Sequence, residues 1–116
     1  MHTLWKDEAK KWAIAEEPRE ACGLIVLLGE GETYVPCKNL ADEDDYFVLD
    51  PSDYAAAEDK GAVLAVFHSH PSGRSDPSPN DIKACNLSKL PWWIYSVKSQ
   101  AWSYLEPEDE PQEQER

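Results

Sequence analysis

Long apolar runs, basic charge and paired cysteines are all scarce in this chain of 116 residues. No apolar stretch approaches the roughly 20 residues that cross a bilayer, and the opening Met1-His2-Thr3-Leu4-Trp5-Lys6-Asp7 lacks the basic region and apolar core of a secretory signal. The expectation is a soluble, cytoplasmic protein. Lys and Arg number 11 against 23 Asp and Glu, a formal charge of -12. Phosphates favour a basic face, so nucleic-acid binding is not expected. Cys22, Cys37 and Cys85 are odd in number and far apart, which argues against a disulfide framework and suits a reducing compartment. The missing CxxC pair removes a sulfur-rich zinc site. No internal repeat is visible, and a chain of this size holds one core with no room for a second catalytic module.

What is present reads as alternating helices and short strands. Trp5, Ala9, Trp12 and Ala13 recur at helical spacing among charged residues and predict an amphipathic helix over residues 3–16, ended by Pro18. Residues 22–28 form a continuous apolar run, too short for a typical core helix, and read as a buried strand entering a hairpin at Gly29-Glu30-Gly31. Its return covers residues 33–37, with Pro36 marking a break or an edge. A polar loop over 39–45 and a short strand over 46–49 precede Asp50-Pro51-Ser52-Asp53, a helix start with a cap, a proline and an acid in sequence. That helix runs to about Asp59 and stops at Gly61.

A second buried strand, residues 62–67, delivers His68 and His70 at its end. Gly73, Pro77 and Pro79 make 72–79 a loop. Ser78 then reads as an N-cap with Pro79 at N1 and Asp81 at N3, opening a helix whose Ile82 and Cys85 face inward. Two aromatic-rich strands, 92–97 and 101–105, flank a turn at Lys98-Ser99-Gln100. Past Leu105 the chain holds six acids, one base and little apolar surface, so residues 106–116 are expected to be a disordered acidic tail to a domain spanning 1–105.

Chemistry concentrates in His68-Ser69-His70-Pro71 and Asp81. Histidines one residue apart on an extended segment share a side, so both rings can reach one metal ion, and Asp81 can return as an oxygen ligand. Three ligands leave a zinc position open for water. Such a site needs a base and an oxyanion donor. Glu20, at the mouth of the first buried strand, is the candidate base, and Ser78 the candidate donor, although Ser78 is also explained as a cap. The cysteines read as buried thiols and Trp92-Trp93 as packing residues, one of which must point to each side of an alternating strand. His2 reads as part of a solvated terminus.

Glu20-Ala21-Cys22-Gly23-Leu24, followed downstream by His68-Ser69-His70-Pro71, six residues, Ser78, two residues and Asp81, resembles the full JAMM/MPN (Mov34-like) metallopeptidase signature. By that resemblance His68, His70 and Asp81 would bind Zn2+, Glu20 would be the general acid-base residue, and Ser78 would stabilise the tetrahedral intermediate. The implied fold is α/β (α+β), a mixed sheet flanked by helices similar to the cytidine-deaminase architecture; a deaminase itself is disfavoured because its HxE and PCxxC elements are absent. The supporting stretches Tyr34-Val35-Pro36-Cys37-Lys38-Asn39, Phe47-Val48-Leu49-Asp50-Pro51 and Leu90-Pro91-Trp92-Trp93 resemble the N-terminal peptidase domain of lambda-like phage tail-tip assembly proteins. Members of that group continue into an NlpC-type cysteine peptidase domain.

The loop after the histidines is also similar to the RadC-like branch. The implied function is zinc-dependent hydrolysis of an amide or isopeptide bond in phage tail assembly or tail-protein processing, with phage tail proteins or a ubiquitin-like conjugate as partners. Its place would be the host cytoplasm or the virion tail. The alternatives are a non-catalytic tail component that keeps the metal site and a RadC-like JAMM protein.

Overall fold

A computed structural model describes residues 4–43, 46–71 and 73–108. They form α1 (Leu4–Glu16), β1 (Cys22–Leu28), β2 (Gly31–Cys37), α2 (Pro51–Lys60), β3 (Ala62–His70), α3 (Pro79–Ser88), β4 (Trp92–Ser96) and β5 (Ala101–Leu105). The five strands make one mixed sheet in the order β2-β1-β3-β4-β5. β1 runs antiparallel to both β2 and β3, β4 parallel to β3, and β5 antiparallel to β4. The parallel pair requires a crossover, which α3 supplies.

The central strands are apolar on both faces because both faces are covered. Trp5, Ala9 and Ala13 of α1 pack on Ile25, Tyr34, Ala65, Phe67 and Tyr95. Ala57 of α2 and Cys85 of α3 pack on the opposite face, against Cys22, Leu24, Val26, Val66 and Trp92. The expected helical stripe of α1 is thus the covered one. Trp93 joins the α1 side, its ring edge-on to Trp5 with centroids 5.6 Å apart.

One irregularity sets the phase of β3. The β1–β3 register shifts between Ile25 and Val26, so that Leu64 and Ala65 both face α1. Beyond this bulge the alternation resumes with Phe67 towards α1 and Val66 and His68 towards the α2/α3 face. A regular strand would have put the histidines on the other side.

The structure differs from the sequence reading at several points, β4 ending at Ser96 among them. β2 begins at Gly31, because pairing with Leu28 continues to the hairpin turn. β3 includes both histidines, which pair with Ile94 and Ser96 of β4. The short strand expected over 46–49 reduces to an isolated bridge between Asn39 and Leu49, since the Asn39 side chain takes the Val48 N–H that a neighbouring strand would have bound. Ile82 is 42 % exposed rather than inward-facing: Asp81 and Cys85, four residues apart, define the buried face of α3, and Ile82 lies one step around it.

Glu106–Glu108 follow β5 without regular structure, the Glu108 N–H donating to Asn86 Oδ1. The remainder of the expected tail, residues 109–116, lies outside the described residues, as does His2.

Candidate metal centre

Two strands and a helix N-terminus converge on one end of the sheet. His68 and His70 leave β3 on the same face, and Asp81 reaches them from the first turn of α3. His68 Nε2 lies 3.2 Å from His70 Nε2 and 3.2 Å from Asp81 Oδ1, and His70 Nε2 lies 3.2 Å from Asp81 Oδ2. Ligand atoms on a tetrahedral zinc with bonds of about 2.0–2.1 Å are separated by roughly 3.3 Å. The two histidine nitrogens match that separation, each meets a different oxygen of Asp81 at 3.2 Å, and one ligand atom from each residue lies within 4.8 Å of the others. The donor set fits as well, two imidazoles and a carboxylate that leave a fourth position open. Among the described residues, this is the one group of three or more His, Cys, Asp or Glu side chains that could hold a metal.

Each side chain is held by its own surroundings. His68 is fully buried, with Phe47 stacked on it at 4.7 Å between ring centroids and Trp92 edge-on at 5.2 Å. His70 Nδ1 is 2.9 Å from the Arg74 carbonyl, which fixes Nδ1 as the protonated nitrogen and leaves Nε2 for a metal. Asp81 and Ser78 form a reciprocal capping box: the Ser78 N–H donates to Asp81 Oδ2 at 2.9 Å, and the Asp81 N–H to Ser78 Oγ at 3.1 Å.

The electrostatics follow from this packing. Burial lowers the pKa of His68 despite Asp81. Burial also acts to lower His70, but its bond to Asp81, the Arg74 carbonyl and the charges of Asp81 and Glu20 prevail and raise it. For Asp81 the desolvation that would raise its pKa is outweighed by His68, His70 and the Ser78 N–H, holding the carboxyl well below the usual range.

Glu20 arrives through the β1–β3 pairing. Cys22 is opposite His68, and Ala21 and Ser69 are joined by two bonds: Ser69 N–H to the Ala21 carbonyl at 3.0 Å, and Ala21 N–H to Ser69 Oγ at 2.8 Å. Continuing that register sets Glu20 opposite His70, on the face of Cys22 and His68. Glu20 is 7 % exposed. It lines a cleft of about 780 Å³ together with His70, Ser78 and Asp81, walled by Tyr46, Phe47 and Trp92. All five residues singled out in the sequence are therefore at this centre: four line the cleft, and His68 lies beneath it. Trp92, read from sequence as packing alone, also forms a wall, and Phe47 carried no local signal of its contact with a histidine.

The model of the family described as prokaryotic homologs of the JAB domain matches residues 5–106. The chain belongs to this family. It is 48 % identical over 85 residues to tail tip assembly protein K of Escherichia phage N15, covering 72 % of this chain and 35 % of that protein. It is 31 % identical over 97 residues to a probable TtuB-protein conjugate cleaving protease of Thermus thermophilus, covering 78 % and 65 %. The chain thus spans about a third of the phage protein and just under two thirds of the Thermus one.

Among solved structures, a protein from Desulfitobacterium hafniense superposes with a TM-score of 0.71 at 27 % identity, covering 86 % of this chain and 76 % of that one. A JAB1/MPN domain protein from Archaeoglobus fulgidus gives a TM-score of 0.56 at 17 % identity, over 88 % and 83 %, which supports the fold. The JAMM/MPN fold expected from the sequence is the fold observed. No helix among the described residues is long and apolar enough to cross a membrane.

Proposed function

We propose that this JAB-family chain is a zinc-dependent amide hydrolase acting on peptide or isopeptide bonds. The observation that carries the reading is the convergence of His68 Nε2, His70 Nε2 and the Asp81 carboxylate at 3.2 Å spacing beside Glu20. A zinc ion held by those three residues would supply Lewis acidity, enough to bring the pKa of water from 15.7 to about 7.

The chain's own groups would do the rest. Glu20 takes the proton of the attacking water as the new C–O bond forms, then gives it to the amide nitrogen as the C–N bond breaks. The Ser78 hydroxyl, whose oxygen already accepts the Asp81 N–H, keeps its proton to donate to the carbonyl oxygen as negative charge develops there. Tyr46, Phe47 and Trp92 shield that step from bulk water.

The setting proposed is phage tail assembly, in the host cytoplasm or on the virion tail, supported by the likeness to tail tip assembly protein K. The substrate is a tail protein or a ubiquitin-like conjugate, the latter supported by the Thermus relative. A tail component that keeps the metal without turnover is the second reading; the likeness to tail tip assembly protein K supports its tail setting.

The test is cleavage of tail-tip proteins and of an isopeptide-linked conjugate by zinc-loaded protein. The hydrolase reading expects Glu20→Gln to keep zinc and to lose cleavage by about 10²–10⁴-fold, the usual worth of a general acid-base group. Equal silence of wild type and Glu20→Gln, with tail assembly intact, would establish the second reading.

A further inference from the structure

Asn39 lies outside the metal-site signature, yet its side chain joins the Glu20 backbone to the loop whose Phe47 stacks on His68. Its Nδ2 donates to the Glu20 carbonyl at 2.7 Å, while its Oδ1 accepts the N–H groups of Ala41 and Val48, each at 2.9 Å. Two donors on one side and one acceptor on the other admit a single orientation of the amide. The chain around it closes on the same point: the Leu40 N–H donates to the Val48 carbonyl at 2.7 Å, and the Arg19 guanidinium donates to the carbonyls of Asn39 and Ala41. Residues 39–41 and 46–49 are thereby fastened to the segment that leads from Glu20 into β1.

The residue next to Val48 in that loop is Phe47, whose ring stacks on His68 with an interplanar angle of 24° and tilts against Trp92 at 5.6 Å. His68 Nδ1 is buried without a hydrogen-bond partner among the described residues. Metal-binding histidines are ordinarily oriented by a bond from that second nitrogen. Here flanking rings take that place, so the direction of His68 Nε2 depends on where the loop seats Phe47.

We propose that Asn39 is a positioning residue: one amide fixes the backbone of Glu20 and the loop that seats Phe47 on His68. Its consequence for turnover rests on the hydrolase reading; its consequence for the loop and for His68 does not.

Three measurements on Asn39→Ala, Asn39→Asp and Phe47→Leu test it: amide hydrogen exchange in the metal-free protein, the visible absorption of bound Co2+, and kcat with KM for the zinc-loaded protein. Asn39→Ala removes all three bonds, and exchange at the Ala41 and Val48 amides should quicken by about tenfold or more. The Co2+ spectrum should shift, as it should in Phe47→Leu, and kcat should fall with little change in KM. Asn39→Asp keeps both accepted bonds and loses only the donor to Glu20. Exchange at those amides should then stay within about threefold of wild type and the Co2+ spectrum should hold, while kcat falls.

A folded Asn39→Ala with wild-type exchange and spectrum would overturn the proposal, as would Asn39→Asp with wild-type kcat. Should Asn39→Ala fail to fold, an unchanged spectrum in Phe47→Leu overturns it instead. A wild type that cleaves no amide defeats the hydrolase reading, and exchange at Ala41 and Val48 still decides whether Asn39 holds the loop.

Discussion

Asp81 Oδ2 accepts the Ser78 N–H at 2.9 Å and lies 3.2 Å from His70 Nε2, so one carboxylate both caps α3 and faces the histidines. The two duties are separable by substitution. Asp81→Ala removes the reciprocal cap and should lower the stability of the metal-free protein by about 1 kcal/mol. Asp81→Asn keeps an acceptor for Ser78, so it should cost the metal-free protein less than Asp81→Ala does, while abolishing tight zinc binding. Urea titrations without metal, paired with zinc binding, check both.

His70 predicts the pH dependence of metal uptake. Its pKa is raised above 6.5, through Asp81, the Arg74 carbonyl and Glu20 acting against burial, so the metal-free protein holds this proton to higher pH than an ordinary histidine. A metal needs the neutral ring. Zinc affinity should therefore begin to fall already above pH 6.5 as acid is added, and binding near that pH should release a proton. Calorimetry in buffers of different ionisation enthalpy measures the proton released; none at pH 6.5 would contradict the prediction.

Gly23 allows Tyr34 to cross the sheet. A Cβ at Gly23 would lie 2.5 Å from the Tyr34 ring, whose hydroxyl donates to the Cys22 carbonyl at 3.2 Å and which makes a T-shaped contact with Phe67. Gly23→Ala must displace that ring and should cost about 1–3 kcal/mol, the usual range for overpacking. Denaturant unfolding of the variant reads the loss directly.

The thiols predict both chemical silence and alkaline weakness. Burial, with the charges of Asp53 and Asp50, pushes Cys37 up to about 12, and burial beside Cys37 pushes Cys22 higher still. None of the three buried cysteines should react with a disulfide reagent at pH 8 in the folded protein, and all three should react in denaturant. Above pH 9 the unfolded chain loses thiol protons that the folded Cys37 keeps until about 12, so stability should fall across that window. A thiol titration and a pH series of unfolding midpoints test the two halves.

The legible parts of this molecule are those whose signals are local. The apolar run of β1, the Ser78-Pro79 start of α3 and the two-residue spacing of the histidines each state their structure within a few residues. The phase of β3 was not legible, because the bulge at Leu64 and Ala65 looks like any apolar run and shows only in its pairing with β1. Residues 46–49 differ for a related reason: their composition suits a strand, but the Val48 N–H is taken by a side chain nine residues upstream. Ile82 failed because the buried face of α3 follows Asp81, and a polar anchor for a helix face is invisible to a hydrophobic pattern. The histidines are legible from their two-residue spacing, and Glu20 from its place before β1 together with the resemblance to the JAMM/MPN signature; that they share one cleft follows from the antiparallel register of β1 and β3.

If His68, His70 and Asp81 together hold one zinc ion, counting zinc per chain after reconstitution and removal of free metal should give one equivalent in wild type and Glu20→Gln and none in His68→Ala and Asp81→Asn. A wild type that retains no zinc, or a His68→Ala variant that retains a full equivalent, would contradict that assignment.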